Sequence, residues 1–186
     1  ELSKAILKNS DIIISDNSAF MGFPFGREHN IEVQLPFIKY CSQDKDVKIV
    51  PIKISLKKFE ILNQISLDIA NAIKSLDKDI IIVASSDMTH KQPRNISNPK
   101  KDLEDMRLKD QAVIDAFVEF NPEKTLEMAL KTSVCGPQTI TTLMQLCKKL
   151  NATKCEALKY YTSYEKGGGT GPCEYSVGYF SGIIKK

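Results

Sequence analysis

The chain has 186 residues, 42% of them hydrophobic and 26% charged, with a formal net charge of +3. That is the length of one domain, and a core of this size needs neither disulfides nor metals as staples. Acidic residues are interleaved with the lysines, so no basic face marks a nucleic-acid surface, and no apolar run approaches the roughly 20 residues that span a bilayer. Nucleic acid and membrane are therefore not expected as partners. No signal-peptide pattern is visible, and the cytoplasm is the expected location. The cysteines (Cys41, Cys135, Cys147, Cys155, Cys173) are odd in number and show no C-x-x-C spacing, which speaks against a disulfide framework or a zinc ribbon.

In chain order, residues 12–15 form an apolar run between turn formers and read as a strand. Residues 16–27 (DNSAFMGFPFGR) read as a loop. From 28 to 41, Ile31, Leu35 and Ile38 recur at spacings of three and four, which predicts a helix that Pro36 kinks or shortens. Residues 47–54 alternate around Pro51, as in a strand near a sheet edge or bulge. Leu62, Ile65, Ile69, Ile73 and Leu76 form a helical stripe. The continuous apolar run 80–84 predicts a strand buried on both faces. Residues 85–101 are polar, hold two prolines, and read as a loop. Helices are expected at 102–118, 122–131 and 137–150, with Pro122 and Pro137 at first-turn positions. Strands 157–165 and 174–184 close the chain as an antiparallel hairpin around KGGGTGP. Strands alternating with helices predict an α/β sandwich with a central mixed β-sheet.

The sharpest polar constellation is Ser85-Ser86-Asp87-Met88-Thr89-His90, directly after the run 80–84. In open α/β sheets, ligand sites form just beyond the carboxyl ends of strands. His90 can act there as general acid or base, and Asp87 can orient it or accept a proton. The plainer alternative is that Ser85 and Asp87 cap backbone groups while His90 faces solvent. A second constellation is Arg27-Glu28-His29, leading into a helix that carries Glu32. Residues four apart share a helix face, so Glu28 and Glu32 can lie beside His29 near a metal or substrate. Alternatively, Glu28 complements the helix N-terminus and His29 is partly buried and hydrogen-bonded.

In Ser133-Val134-Cys135-Gly136-Pro137, Cys135 precedes the proline that starts a helix. Free N–H groups at a helix N-terminus stabilise a thiolate, which suits a nucleophile or a soft metal ligand, although buried cysteines are more often apolar fillers. Cys41 and Cys147 fall on helical faces and read as structural. The run Gly167-Gly168-Gly169-Thr170-Gly171 lacks the GK[ST] ending of a P-loop, and no G-x-G-x-x-G opens a helix. It reads as a hairpin loop and not as a phosphate site.

Four ordered segments, GREHNIEVQLPFI, IIIVASSDMTH, VCGPQTI and KYYTSYE…CEYSVGYFSGII, resemble the signatures of the Memo family, whose bacterial and archaeal form is AmmeMemoRadiSam system protein B. The resemblance runs from roughly the first residues to the end. It implies a fold similar to the class III extradiol dioxygenases, which open catechol rings with non-haem iron: a three-layer sandwich around the central sheet. It further implies that Cys135 is a metal ligand and that His90 matches the acid–base histidine of those enzymes. His29 and Asp87 match polar residues lining the same cleft. The family's HAGY and GPSHH-like segments, which carry two ligand histidines, have no counterpart, since His29 and His90 are the histidines present. Either the chain is a fragment or it is a divergent member that has lost the metal; the first is favoured, and the chain is read as a single Memo-like domain over 1–186 that lacks its N-terminal segment. Iron or copper would draw its remaining ligands from that segment, because such sites usually use about three protein ligands.

Three functions stand open at this point. One is a metal-dependent redox or dioxygenase-like protein of unassigned substrate, with His90, Asp87 and His29 as catalytic candidates and Cys135 on the metal. A thiolate favours softer metals such as copper(I). The second is a non-catalytic adaptor holding a peptide or protein in the same cleft, as the signalling-associated eukaryotic branch of the family implies. The third is a hydrolase pairing Cys135 with His90 or His29. The expected ligand is a small molecule or a peptide in the cleft, and the residues do not specify an oligomeric state.

Overall fold

The computed structural model describes residues 1–20, 29–43 and 45–186. Its helices are α1 (Leu2–Lys8), α2 (Leu35–Ser42), α3 (Phe59–Lys74), α4 (Lys100–Val118), α5 (Pro122–Leu130), α6 (Pro137–Lys149) and the single turn α7 (Ser163–Lys166). Strands β1 (His90–Lys91), β2 (Lys154–Thr162) and β3 (Ser176–Lys185) form a sheet of order β1-β3-β2, antiparallel throughout. The fold is mixed α/β. Among the described residues, no helix is long and apolar enough to cross a membrane.

The longer helices form where the 3.6-residue pattern and the prolines place them. In α3, Leu62, Ile65 and Ile69 are buried, and the helix packs Ile65, Ile69 and Ala72 with Ile6 of α1 and Leu146 of α6. Burying each such aliphatic side chain stabilises the fold by about 1.5–3 kcal/mol. At the start of α5 the Asn121 side chain accepts a hydrogen bond from the Lys124 N–H, and Pro122 sits in the first turn. A cap of this kind contributes about 1 kcal/mol. The buried stripe of α4 runs Leu103, Met106, Asp110, Val113, Ile114, Phe117; a carboxylate, Asp110, stands in the middle of an otherwise apolar row.

Several elements differ from the sequence reading. The helix expected over 28–41 begins at Leu35, after a 3-10 turn at Glu32–Gln34, and Pro36 lies in its first turn, so it starts the helix instead of kinking it. The loop expected at 16–27 is described only to residue 20, where Ser18–Phe20 forms a 3-10 turn; residues 21–27 and Glu28 lie outside the described residues. The segments 12–15, 47–54 and 80–84 make no strand ladder with any described residue. Ile81 is 90% and Val83 56% exposed, while Ile52 and Ile82 pack on the α1–α3–α6 core. An apolar run encodes readiness for burial, but a strand exists only where a second backbone supplies the hydrogen bonds. The described sheet is accordingly a small antiparallel one, not the central mixed sheet expected.

The closing hairpin is present with altered edges. β2 ends at Thr162, and residues 163–166 turn into α7 because Thr162 and Glu165 form a reciprocal capping box. In β3, Gly178 is demanded by proximity. A Cβ there would collide with the Asp110 carboxylate and lie 3.0 Å from Met88 Cβ.

Candidate functional site

Two segments, 85–90 and 133–136, run side by side and are pinned from below. Met88 and Val134 are both buried in one cluster with Val113, Ile114 and Ala129. Side chains alternate along extended backbone, so Asp87, beside Met88, and Cys135, beside Val134, stay outside that core and meet above it. The backbones are stitched together. Ser133 Oγ accepts from the His90 N–H at 2.9 Å and donates to the His90 carbonyl at 2.6 Å. The Cys135 N–H donates to the Asp87 carbonyl at 3.3 Å, and the Gly136 N–H donates to Ser86 Oγ at 2.9 Å. On the other side, the Met88 N–H donates to the Gly178 carbonyl and the Gly178 N–H to the Thr89 carbonyl, both at 3.0 Å.

A buried network supports this frame. Asp110, fully buried, accepts from the Thr89 N–H at 3.0 Å and from the Tyr160 hydroxyl at 2.7 Å. Burial, then the hydrogen bond and charge of Asp110, push the Tyr160 phenol up, so it stays protonated and serves as donor. Tyr179 is also pushed up, by burial first and then by the negative charge of Asp87.

The result is a group of three unlike donors. The ligand atoms of Asp87, His90 and Cys135 all lie within 4.8 Å of one another. Cys135 Sγ accepts from the Asp87 N–H at 3.1 Å and lies 3.6 Å from Ser86 Oγ. His90 Nε2 is 3.4 Å from Asp87 Oδ2, and Nδ1 is 2.5 Å from the Tyr175 hydroxyl. His90 Nε2 is buried and has no hydrogen-bond partner among the described residues. Sulfur, nitrogen and oxygen donors so placed could hold one metal ion. Such a set suits a transition metal better than magnesium or calcium, which prefer oxygen alone.

Of the residues singled out in the sequence, Asp87, His90 and Cys135 come together and His29 is not in the group. His29 is exposed, with Nδ1 3.5 Å from Glu32 Oε2; Arg27 and Glu28 lie outside the described residues. Its segment reaches the site through Gln34, whose Nε2 donates to Ser85 Oγ at 3.0 Å. The glycine run connects α7 to β3, and the Tyr164 hydroxyl donates to the Gly171 carbonyl at 2.8 Å, in keeping with a hairpin connection. A hollow of about 370 Å³ lined by Phe59, Asn63, Gln145 and Lys148, among others, shares no residue with the group.

Sequence reasoning assigned no role to Tyr175, to Ser133 of the SVCGP segment, or to Asp110. Asp110 carried a legible signal, a carboxylate inside an apolar helical stripe. Tyr175 carried none, because its partner His90 lies 85 residues away.

Comparison with known proteins places this site in context. A model of the Memo-like protein family matches residues 1–183. A MEMO1 family protein of Desulfurococcus amylolyticus is 36% identical over 181 residues, 96% of this chain and 57% of that protein. Another, from Saccharolobus islandicus, is 35% identical over 182 residues, 97% of this chain and 58% of the relative. A third, from Methanocaldococcus jannaschii, is 31% identical over 189 residues, covering 100% of this chain and 60% of the relative. The chain thus spans about three-fifths of the length of the curated relatives it matches. With nearly every residue covered by the family pattern and identities above 30%, the chain belongs to the Memo-like family.

Proposed function

We propose that this chain carries part of the site of a cytoplasmic, metal-dependent redox or dioxygenase-like protein, built on a three-layer fold similar to the extradiol dioxygenases. In this reading Cys135 is a ligand to iron or copper, His90 is the acid–base group, and Asp87 is its charged neighbour. The single observation that carries it is the convergence of a thiol, an imidazole and a carboxylate within 4.8 Å. A bound ion would supply Lewis-acid or redox chemistry to a small-molecule or peptide ligand in the cleft.

The chain's own residues have definable parts in that reading. The Asp87 N–H spreads the charge of a Cys135 thiolate without neutralising it. His90 Nε2 is the atom that takes up or returns a proton, and Asp87 stabilises the imidazolium that forms. Ser133, bonded to the backbone N–H and carbonyl of His90, keeps the imidazole over the site. His29 is assigned to the rim of the cleft. A hydrolase pairing is less well supported, since the contacts of Cys135 Sγ are the Asp87 N–H and Ser86 Oγ and not an imidazole.

The test is metal content of the intact protein, purified without a chelating tag, beside its Cys135→Ser variant. Near-stoichiometric iron or copper that falls at least about tenfold in the variant is the expected result, by comparison with the 10–100-fold effects of outer-shell partners alone. Absence of both metals from both proteins would remove this reading and leave the adaptor, in which the cleft binds a peptide and catalyses nothing.

A further inference from the structure

We propose that the hollow between α3, α5 and α6 is a second ligand site, separate from Asp87, His90 and Cys135, and that it takes a small phosphorylated polyol of the sugar-phosphate class. Its wall is built from the first turns of α3 (Phe59, Asn63), the last turns of α6 (Gln145, Lys148, Lys149) and the start of α5 (Asn121, Glu123). Its volume of about 370 Å³ falls in the range of small-molecule sites, about 300–1,000 Å³.

The observation that points to a ligand is Gln145. The residue is 5% exposed, it lines the hollow, and its Nε2 has no hydrogen-bond partner among the described residues. Its Oε1 lies 3.4 Å from Ser66 Oγ, but that hydroxyl donates at 2.8 Å to the Leu62 carbonyl. Turning the amide over exchanges its two ends and leaves the oxygen unpartnered instead. A buried amide with one end unmet is unfavourable until a polar group reaches it. A hydroxyl both donates and accepts, so it satisfies either orientation.

The other wall residues indicate what carries that hydroxyl. Lys149 is half-buried, and neither it nor Lys148 forms an ion pair with a described residue; Lys148 Nζ lies 4.8 Å from the centre of the Phe120 ring. Lysines in the last turn of a helix often serve its carbonyl groups. Here the Leu146, Cys147 and Lys148 carbonyls already accept from the backbone N–H groups of Leu150, Asn151 and Ala152. Both ammonium groups are therefore available to an anion. The α3 helix has no side-chain cap, and its positive end opens at Phe59, in the wall of the same hollow.

The remaining groups suit hydroxyls. Asn63 and Asn121 add two primary amides; Asn121 Oδ1 is engaged by the Lys124 N–H, which leaves its Nδ2 as a donor. Glu123 adds a carboxylate, which accepts from hydroxyls and repels phosphate. The half-buried Phe59 ring offers apolar surface to a carbon skeleton. A bare phosphate would leave the amides unmet, and a plain polyol would leave the lysines unmet. A phosphorylated polyol answers both.

Calorimetric titration of the intact protein with glucose 6-phosphate and ribose 5-phosphate, beside glucose and inorganic phosphate, tests the class. Saturable one-site binding of at least one sugar phosphate, tighter than glucose and than inorganic phosphate, is expected. Inorganic phosphate binding as tightly as the sugar phosphates, or no saturable binding of either sugar phosphate, would overturn the proposal.

Two variants fix the location. Gln145→Leu keeps the bulk of the side chain without its polar end and should weaken binding about 3- to 10-fold. Lys149→Gln removes a cation and should weaken it about tenfold or more. The Gln145 side-chain NH2 signals in 1H–15N spectra, assigned by their loss in Gln145→Leu, should shift as the sugar phosphate is added. Urea unfolding midpoints distinguish lost binding from lost folding, and Lys149→Gln decides the matter if Gln145→Leu does not fold. Cys135→Ser should bind as the wild type does. Full-strength binding by the folded Gln145 and Lys149 variants, or loss of binding in Cys135→Ser, would overturn the assignment to this hollow.

Discussion

Asp87 and Cys135 exchange hydrogen bonds: the Asp87 N–H points at Cys135 Sγ across 3.1 Å, and the Cys135 N–H returns to the Asp87 carbonyl across 3.3 Å. This reciprocal pair sets the separation of the two segments that carry the candidate site. It depends on the next residue having no side chain, because a Cβ on Gly136 would sit 2.9 Å from both Cβ and Oγ of Ser86. Gly136→Ala should force the segments apart, costing about 1–3 kcal/mol through overpacking and weakening metal retention. Metal content and urea unfolding of the variant check both effects, and wild-type values for each would contradict this account.

Asp110 tests the frame under the site. Replacement by alanine leaves the Thr89 N–H and the Tyr160 hydroxyl without their acceptor in the core. Buried donors stranded in this way cost about 1–3 kcal/mol each, so Asp110→Ala should lose roughly 3 kcal/mol. Asp110→Asn, which keeps one acceptor oxygen, should lose less. Equilibrium denaturation of both variants measures the order, and equal losses would show that the carboxylate is not the anchor.

Asp102 gives a pH signature. The Lys91 ammonium, 3.1 Å away, holds its carboxyl below the ordinary value of 3.8, with the Arg94 backbone N–H and guanidinium adding to the effect against the opposing pull of burial. A depressed value in the folded state means the interaction stabilises fully above the ordinary value and is lost as pH falls through the folded one. The stability gap between wild type and Asp102→Asn should thus be widest near neutrality and close as the pH drops below 3.8. A gap that stays constant from pH 7 to about 3 would falsify the linkage.

The cysteines should separate by reactivity. Burial, aided by the neighbouring Cys147, pushes the Cys155 thiol up to about 12, and Cys173 is also buried, whereas Cys41 and Cys135 are exposed. Iodoacetamide at neutral pH should modify Cys41 and Cys135 in the native protein, and Cys155 and Cys173 only after unfolding. Peptide mass spectrometry follows each site. Comparable rates at Cys135 and Cys155 would mean that the packing around β2 is looser than described.

The helices α3 to α6 were legible because amphipathic periodicity, proline positions and caps act within a few residues of one another. The same locality made the two site segments legible: Asp87 and His90 are three apart, and Cys135 stands just before the proline that starts α6. Only the tertiary structure decided that Cys135 meets them, that Ser133 and Asp110 hold the frame, and that Tyr175 takes His90 Nδ1. It also decided that the apolar run 80–84 has no ladder partner among the described residues. Strand pairing and side-chain convergence are contacts across large sequence separations. Composition and period show which residues are fit for such contacts, and the packing of the chain decides which partner each of them finds.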